Sequence, residues 1–105
     1  MEKLKPTYLL ATIKAAFASA EGLLSAASKT ALTDAAALGL SEQEVVGCIQ
    51  GIEPGCFYKS MTTDRDSRIW QDVYYVPWGE RVLYVKFTSL EGGRLFLISF
   101  KPKEK

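Results

Sequence analysis

Leu9, Leu10, Ile13, Phe17 and Ala20 follow one another mostly at three- and four-residue steps, which gathers them on one stripe of a helix. Pro6 suits the first helical position, where a missing N–H is no loss, and Gly22 stops the run. Residues 23–38 are rich in Ala, Ser and Thr, and Thr30 or Thr33 is a candidate cap for a second short helix ending near Gly39. Ser41 stands three residues before Glu44, the reciprocal capping arrangement, with Val45, Val46 and Ile49 following before Gly51. This third helix carries the strongest boundary signals.

Beyond Pro54 and Gly55 the period shortens. β-Branched and aromatic residues are punctuated by polar turns at Asp64–Ser67, Trp78–Glu80 and Glu91–Gly93, which predicts four antiparallel strands at about 57–63, 68–77, 81–90 and 94–101. In the third, Leu83, Val85 and Phe87 alternate with Tyr84, Lys86 and Thr88; in the fourth, Phe96, Ile98 and Phe100 alternate with Ser99 and Lys101. One face is expected in the core, and the other presents Tyr84, Lys86 and Lys101. The second strand is apolar on both sides, with Ile69, Val73 and Tyr75 opposing Trp70 and Tyr74, as a central strand is. Helices first and a sheet afterwards predict an α+β two-layer domain, N-terminal helices (about 6–51) packed on a C-terminal antiparallel sheet (about 57–101).

A chain of 105 residues is expected to be a single domain, so one site must both bind and react. With 48% apolar and 24% charged residues the composition is that of a globular protein. The longest apolar stretch, Tyr8 to Ala20, is interrupted by Lys14 and is too short to span a bilayer. Met1 to Pro6 does not read as a secretion signal, so the protein is expected in the cytoplasm with no membrane partner. Cys48 and Cys56 have neither a CxxC spacing nor histidines beside them and read as reduced packing groups. The net charge of +1 conceals an asymmetry: residues 1–56 carry four basic and six acidic side chains, residues 57–105 nine basic and six acidic. The second half is the candidate polyanion surface.

The absence of histidine removes Ser-His and Cys-His nucleophiles and any histidine-based acid–base pair. Gly92-Gly93 falls in a hairpin turn with no helix after it, so it is no phosphate loop. What remains is the open sheet face, where Lys59, Met61, Gln71, Tyr84 and Lys101 can align. Cleavage of RNA by its own 2′-hydroxyl needs a proton acceptor, cations for the charge growing on the phosphoryl oxygens, and a donor for the leaving oxygen. Lysines and a tyrosine can fill these roles when partial burial and neighbouring positive charge lower a lysine's pKa. On residue type alone the same lysines are solvated charges, Tyr84 a packing residue, Gln71 a strand hydrogen-bonder and Met61 a gap-filler. Trp70, Tyr74, Tyr75 and Trp78 read as base-stacking groups or as core and interface.

The run Phe57-Tyr58-Lys59-Ser60-Met61-Thr62-Thr63, then Ile69-Trp70-Gln71-Asp72-Val73-Tyr74 and the late Ser99-Phe100-Lys101 resemble the MqsR toxins, a family of RelE-like ribonucleases. The resemblance is strong over the C-terminal half and looser over Met1-Glu2-Lys3 and Pro6–Lys14. It implies a RelE-like fold and the toxin of a type II toxin–antitoxin system. Such a toxin would be a metal-independent, ribosome-independent endoribonuclease that cuts mRNA at GC-containing triplets such as GCU, arresting translation and growth. It implies no cofactor, and neutralisation by an MqsA-like antitoxin with a zinc-binding domain and a helix-turn-helix domain, through which alone operator DNA is reached. Lys59, Gln71 and Tyr84 match the catalytic positions, with Lys59 as phosphate stabiliser or base, Tyr84 in proton transfer or holding a base, and Gln71 orienting the scissile nucleotide. Met61 and Lys101 match substrate contacts, and Arg68 and Lys86 complete the expected substrate-binding set. Thr7 stands where some relatives carry a histidine. Two competing readings are a catalytically inactive relative that acts with its antitoxin in transcriptional autoregulation, and a non-enzymatic RNA-binding domain.

Overall fold

The computed structural model describes residues 1–104. The chain runs β1 (Glu2–Lys3), α1 (Leu10–Ala16), α2 (Ala20–Ser25), α3 (Lys29–Ala37), α4 (Glu42–Gln50), a 3-10 turn (Pro54–Cys56), β2 (Phe57–Thr62), β3 (Trp70–Trp78), β4 (Arg81–Ser89) and β5 (Leu95–Pro102). The strands form one antiparallel sheet in the order β1-β2-β3-β4-β5, with the helices on one face. This is the expected α+β two-layer arrangement, with a fifth strand that alternation could not predict because it is two residues long. None of the helices is long and apolar enough to cross a membrane among the described residues.

The first expected helix is in fact two, and it starts later. Leu9 is the N-cap of α1, and Pro6 lies outside it in an extended strap. A long-range anchor holds the strap: the buried carboxylate of Asp72 accepts from the N–H of Thr7 (3.1 Å to Oδ1, 2.9 Å to Oδ2) and of Tyr8 (2.9 Å to Oδ2). At the far end the backbone leaves helical geometry at Phe17, and Ser19 caps α2, its Oγ accepting from Gly22 N at 3.0 Å. Gly22 therefore lies inside α2 rather than closing α1. A Cβ there would stand 2.6 Å from the Ala16 carbonyl oxygen, so its glycine permits the two short helices to touch.

Ser28, not Thr30 or Thr33, caps α3, with Oγ accepting from Ala31 N at 3.0 Å. The helix ends as expected before Gly39, whose φ of 81° is left-handed. At α4 the expected capping box forms: Glu44 N donates to Ser41 Oγ (3.2 Å) and Ser41 N to Glu44 Oε1 (3.0 Å).

The core lies between the layers. Ile13, Phe17, Leu23, Val45, Ile49 and Ile52 meet Tyr74, Val76, Leu83, Val85, Phe87, Leu97 and Phe100, and Phe87 takes Phe17 at 5.5 Å and Tyr74 edge-on at 6.0 Å. The last strand departs from simple alternation. A bulge opposite Lys86 and Phe87 pairs Ser99 with Lys86 but Leu97 with Phe87, so Leu95, Leu97 and Phe100 are buried while Phe96 and Ile98 are only half-covered. The outer edge of β5 is partly capped by the chain before α3, where Leu97 N donates to Ala26 O (2.8 Å) and Ser28 N to Leu97 O (2.9 Å). Cys48 is buried and Cys56 half-buried, both as free thiols, and burial pushes the Cys48 thiol up to about 11.

Candidate active site

Side chains alternate along each strand, so the sheet register decides which groups meet on the face away from the helices. On β3 that face carries Gln71, Val73 and Tyr75, and three cross-strand rows follow from the pairing. The first is Met61–Gln71–Thr88, the second Lys59–Val73–Lys86–Ser99, the third Tyr75–Tyr84–Lys101. Neighbouring rows are two residues apart, roughly 7 Å. All of Lys59, Met61, Gln71, Tyr84, Lys86 and Lys101 thus share one face, as expected. Arg68 does not: it lies in the β2–β3 loop with its side chain 88% exposed, held by Asp66 at 3.0 Å. That contact keeps the Asp66 carboxyl below its usual value and the guanidinium above its own.

The second row is the centre. Val73 is fully buried although it points away from the helices, because long side chains on both sides cover it. Lys59 Nζ forms an ion pair with Glu2 Oε2 at 2.6 Å, a contact made possible by β1, where Glu2 pairs with Met61. Hydrogen bonding to Glu2 raises the Lys59 pKa above its ordinary value. Across Val73, burial and then the positive charge of Lys101 lower the pKa of Lys86. The two lysines are thus pushed in opposite directions.

Tyr84 stands beside them. The Lys86 and Lys101 ammonium groups lie 5.8 and 5.5 Å from its ring centroid. Burial raises its pKa, against which the positive charge of Lys59 pulls down. Tyr84 therefore holds its proton, while the neighbouring cation works in favour of the phenolate. Gln71 and Met61 form the neighbouring row.

The other aromatic residues sort by face. Tyr74 is in the core, where burial pushes its hydroxyl up to about 12. Trp70 and Trp78 alternate with Gln71 and Tyr75 and so belong to the helix side, Trp70 beneath the Lys3 ammonium at 4.2 Å. Only Tyr75 of the four joins the open face, stacked on Tyr58 at 4.4 Å. Thr7 is likewise on the helix side, its hydroxyl 2.8 Å from Ser60 Oγ. Sequence reasoning missed Glu2 and Lys103, which stands 5.1 Å over the Tyr75 ring; no periodic signal marks either, since one sits in a two-residue strand and the other follows the last one. Among the described residues no three Cys, Asp or Glu side chains cluster as metal ligands.

Comparison with known proteins gives two matches. Residues 5–102 fit a family model described as motility quorum-sensing regulator, toxin of MqsA. Over 76 residues the chain is 38% identical to the mRNA interferase toxin MqsR of Escherichia coli (strain K12), a stretch that covers 72% of this chain and 76% of that protein.

Proposed function

Because the chain belongs to the motility quorum-sensing regulator family of toxins, we propose that its open sheet face is the active centre of an mRNA endoribonuclease. The observation that carries this reading is the second row of the sheet with Tyr84 next to it. Two lysines with oppositely shifted proton affinities and a protonated tyrosine are the complement that 2′-hydroxyl attack requires.

Lys59, held cationic, takes the charge that grows on the phosphoryl oxygens. Lys86, whose proton affinity burial and Lys101 lower, accepts in its neutral form the proton of the attacking 2′-hydroxyl. Tyr84 gives its phenolic proton to the departing 5′-oxygen. The P–O2′ bond forms as the P–O5′ bond breaks, leaving a 2′,3′-cyclic phosphate and a 5′-hydroxyl; both side chains reset by exchange with water. Gln71 and Met61 orient the nucleotide beside the cut, and Lys101 and Arg68 hold flanking phosphates, Arg68 after leaving Asp66.

The family supports cutting at GC-containing triplets such as GCU, arrest of translation as the outcome, and neutralisation by an MqsA-like zinc-binding antitoxin that alone touches operator DNA. Such a substrate is met in the cytoplasm, where we place the protein. The test is cleavage of an RNA with several GCU triplets by the purified chain in EDTA, beside Lys59→Ala, Lys86→Met and Tyr84→Phe, with fragment ends mapped. Cuts at those triplets that fade in all three variants are expected. Intact RNA with folded protein that still binds its antitoxin would return the chain to a binding module.

A further inference from the structure

Tyr75 shares the open face, yet none of the roles above uses it. Its ring stacks on Tyr58 at 4.4 Å with 17° between the planes, while Lys103 Nζ stands 5.1 Å over the same centroid. A ring at stacking distance leaves no room for an ammonium on its own side, so Lys103 covers the opposite side. Beside Tyr75 lies a concavity of about 310 Å³, lined by Tyr75, Tyr84, Lys101, Pro102, Lys103 and Glu104, near the lower end of the 300–1,000 Å³ range of small-ligand sites.

That lining has three parts. Tyr75 is a flat floor with Tyr84 tilted beside it, ring centroids 6.2 Å apart at 47°. Lys101 and Lys103 supply positive charge at one end. Glu104 is the acid in the set, an acceptor suited to the amino group of a base. A π-surface next to two ammonium groups is the chemistry that takes a nucleobase together with its phosphate. Lys103 is exposed, and an exposed ammonium over a ring is a weak contact that a base can displace. Because Tyr84 and Lys101 also line the catalytic rows, the concavity continues the active face.

We propose that this concavity is a one-nucleotide subsite next to the scissile phosphate: the base stacks on Tyr75, and Lys103 moves from the ring to the adjoining phosphodiester. The assignment of RNA as the ligand rests on the ribonuclease reading, but the stacking itself can be measured without any cleavage.

The experiment uses the full chain and a fluorescent 2′-O-methyl RNA containing GCU, which lacks the attacking hydroxyl. An abasic unit is placed at each position in turn, and Kd is read by anisotropy for the wild type, Tyr75→Leu, Tyr75→Phe and Lys103→Met. With the wild type, one abasic position weakens binding about tenfold or more. Tyr75→Leu loses a similar factor on the intact RNA and nothing further at that position, while Tyr75→Phe keeps the wild-type pattern. Lys103→Met, a surface change safe for folding, lowers the magnitude of the slope of log Kd against log salt by about one. Abasic penalties that are the same in Tyr75→Leu as in the wild type, or an unchanged slope for Lys103→Met, would overturn the subsite. A wild type that passes this cycle but cuts no RNA sinks the ribonuclease reading and leaves the subsite standing; one that cuts but fails the cycle does the reverse.

Discussion

Removing the Asp72 carboxylate tests how the open face is held together. Asp72 has no exposure to solvent, and its two oxygens accept from Thr7 and Tyr8 backbone N–H groups. In Asp72→Ala those two part-buried donors lose their charged acceptor at about 1–3 kcal/mol each, so the pair costs about 2–6 kcal/mol. Should the strap peel away to reach water, the loss becomes the β1–β2 pairing and the Tyr8 hydroxyl bond to Trp70 O at 2.7 Å, which keeps the cost near the lower figure. At about 4–8 °C per kcal/mol for a small domain, Tm falls by at least about 8 °C. Asp72→Asn keeps one acceptor but turns an amide N–H₂ toward a backbone N–H, and lies between. Thermal unfolding followed by circular dichroism reads the shift, and a Tm for Asp72→Ala within about 2 °C of wild type would refute the strap argument. A second signature goes with it: Glu2 rides on the strap, so the Lys59 pKa, read by lysine-selective NMR, falls back toward its ordinary value.

Glu2→Gln should act on the site alone. Glu2 competes with phosphate for the Lys59 ammonium, so its loss tightens binding of uncleavable RNA by about two- to fivefold at low salt, and weaker binding would contradict the pairing. Lys86, whose folded pKa is depressed, sets two pH dependences. Cleavage rises with pH until Lys86 is neutral, and Lys86→Met loses that rise. Between the lowered folded pKa and the ordinary value of 10.5 the unfolded chain binds more protons than the folded one, so stability increases with pH across that window; the increase, seen in urea midpoints, disappears in Lys86→Met, which is also more stable at neutral pH. Two glycines give opposite signs. Gly22→Ala drives a Cβ onto the Ala16 carbonyl at 2.6 Å and destabilises by about 1–3 kcal/mol, whereas Gly47→Ala, in the middle of α4 with nothing within 4 Å, stabilises by about 0.5–1 kcal/mol; equal midpoints for the two would count against the α1–α2 contact.

The two-layer architecture was legible because amphipathic periods of 3.6 and 2 survive in the residues that build it. The α4 capping box and the Val45, Val46, Ile49 stripe needed only neighbours in sequence. Failures came where contacts that the periodic pattern does not encode outbid it. Pro6 has a fair claim to begin a helix, but Asp72, some 65 residues on, takes the strap's N–H groups. The bulge in β5 is similar: Phe96 and Ile98 alternate well in sequence, yet one extra residue against β4 turns Leu95 and Leu97 inward instead. Arg68 read as part of the second strand, while the local grip of Asp66 on its backbone and guanidinium (2.8 and 3.0 Å) holds it in the loop.

Which residues share the open face was more legible than the roles proposed for them, and the reason is visible in one row. Lys59 and Lys86 are the same residue type, both paired across from Val73 and both on the same face. Alternation along each strand puts them there, so sequence can find them; nothing local to either says which keeps its proton. That difference is made by Glu2, brought to Lys59 by a two-residue strand at the other end of the chain, and by the enclosure of Lys86 beside Lys101 once β5 has paired. Both are products of tertiary pairing. A lysine facing a carboxylate keeps its proton and is a poor proton acceptor, whereas a lysine facing another lysine gives its proton up more readily. The proposed division of labour on this face therefore follows from which charges the strap and the last strand carry to it, and an acid moved from β1 to the β5 side would be expected to exchange the two roles.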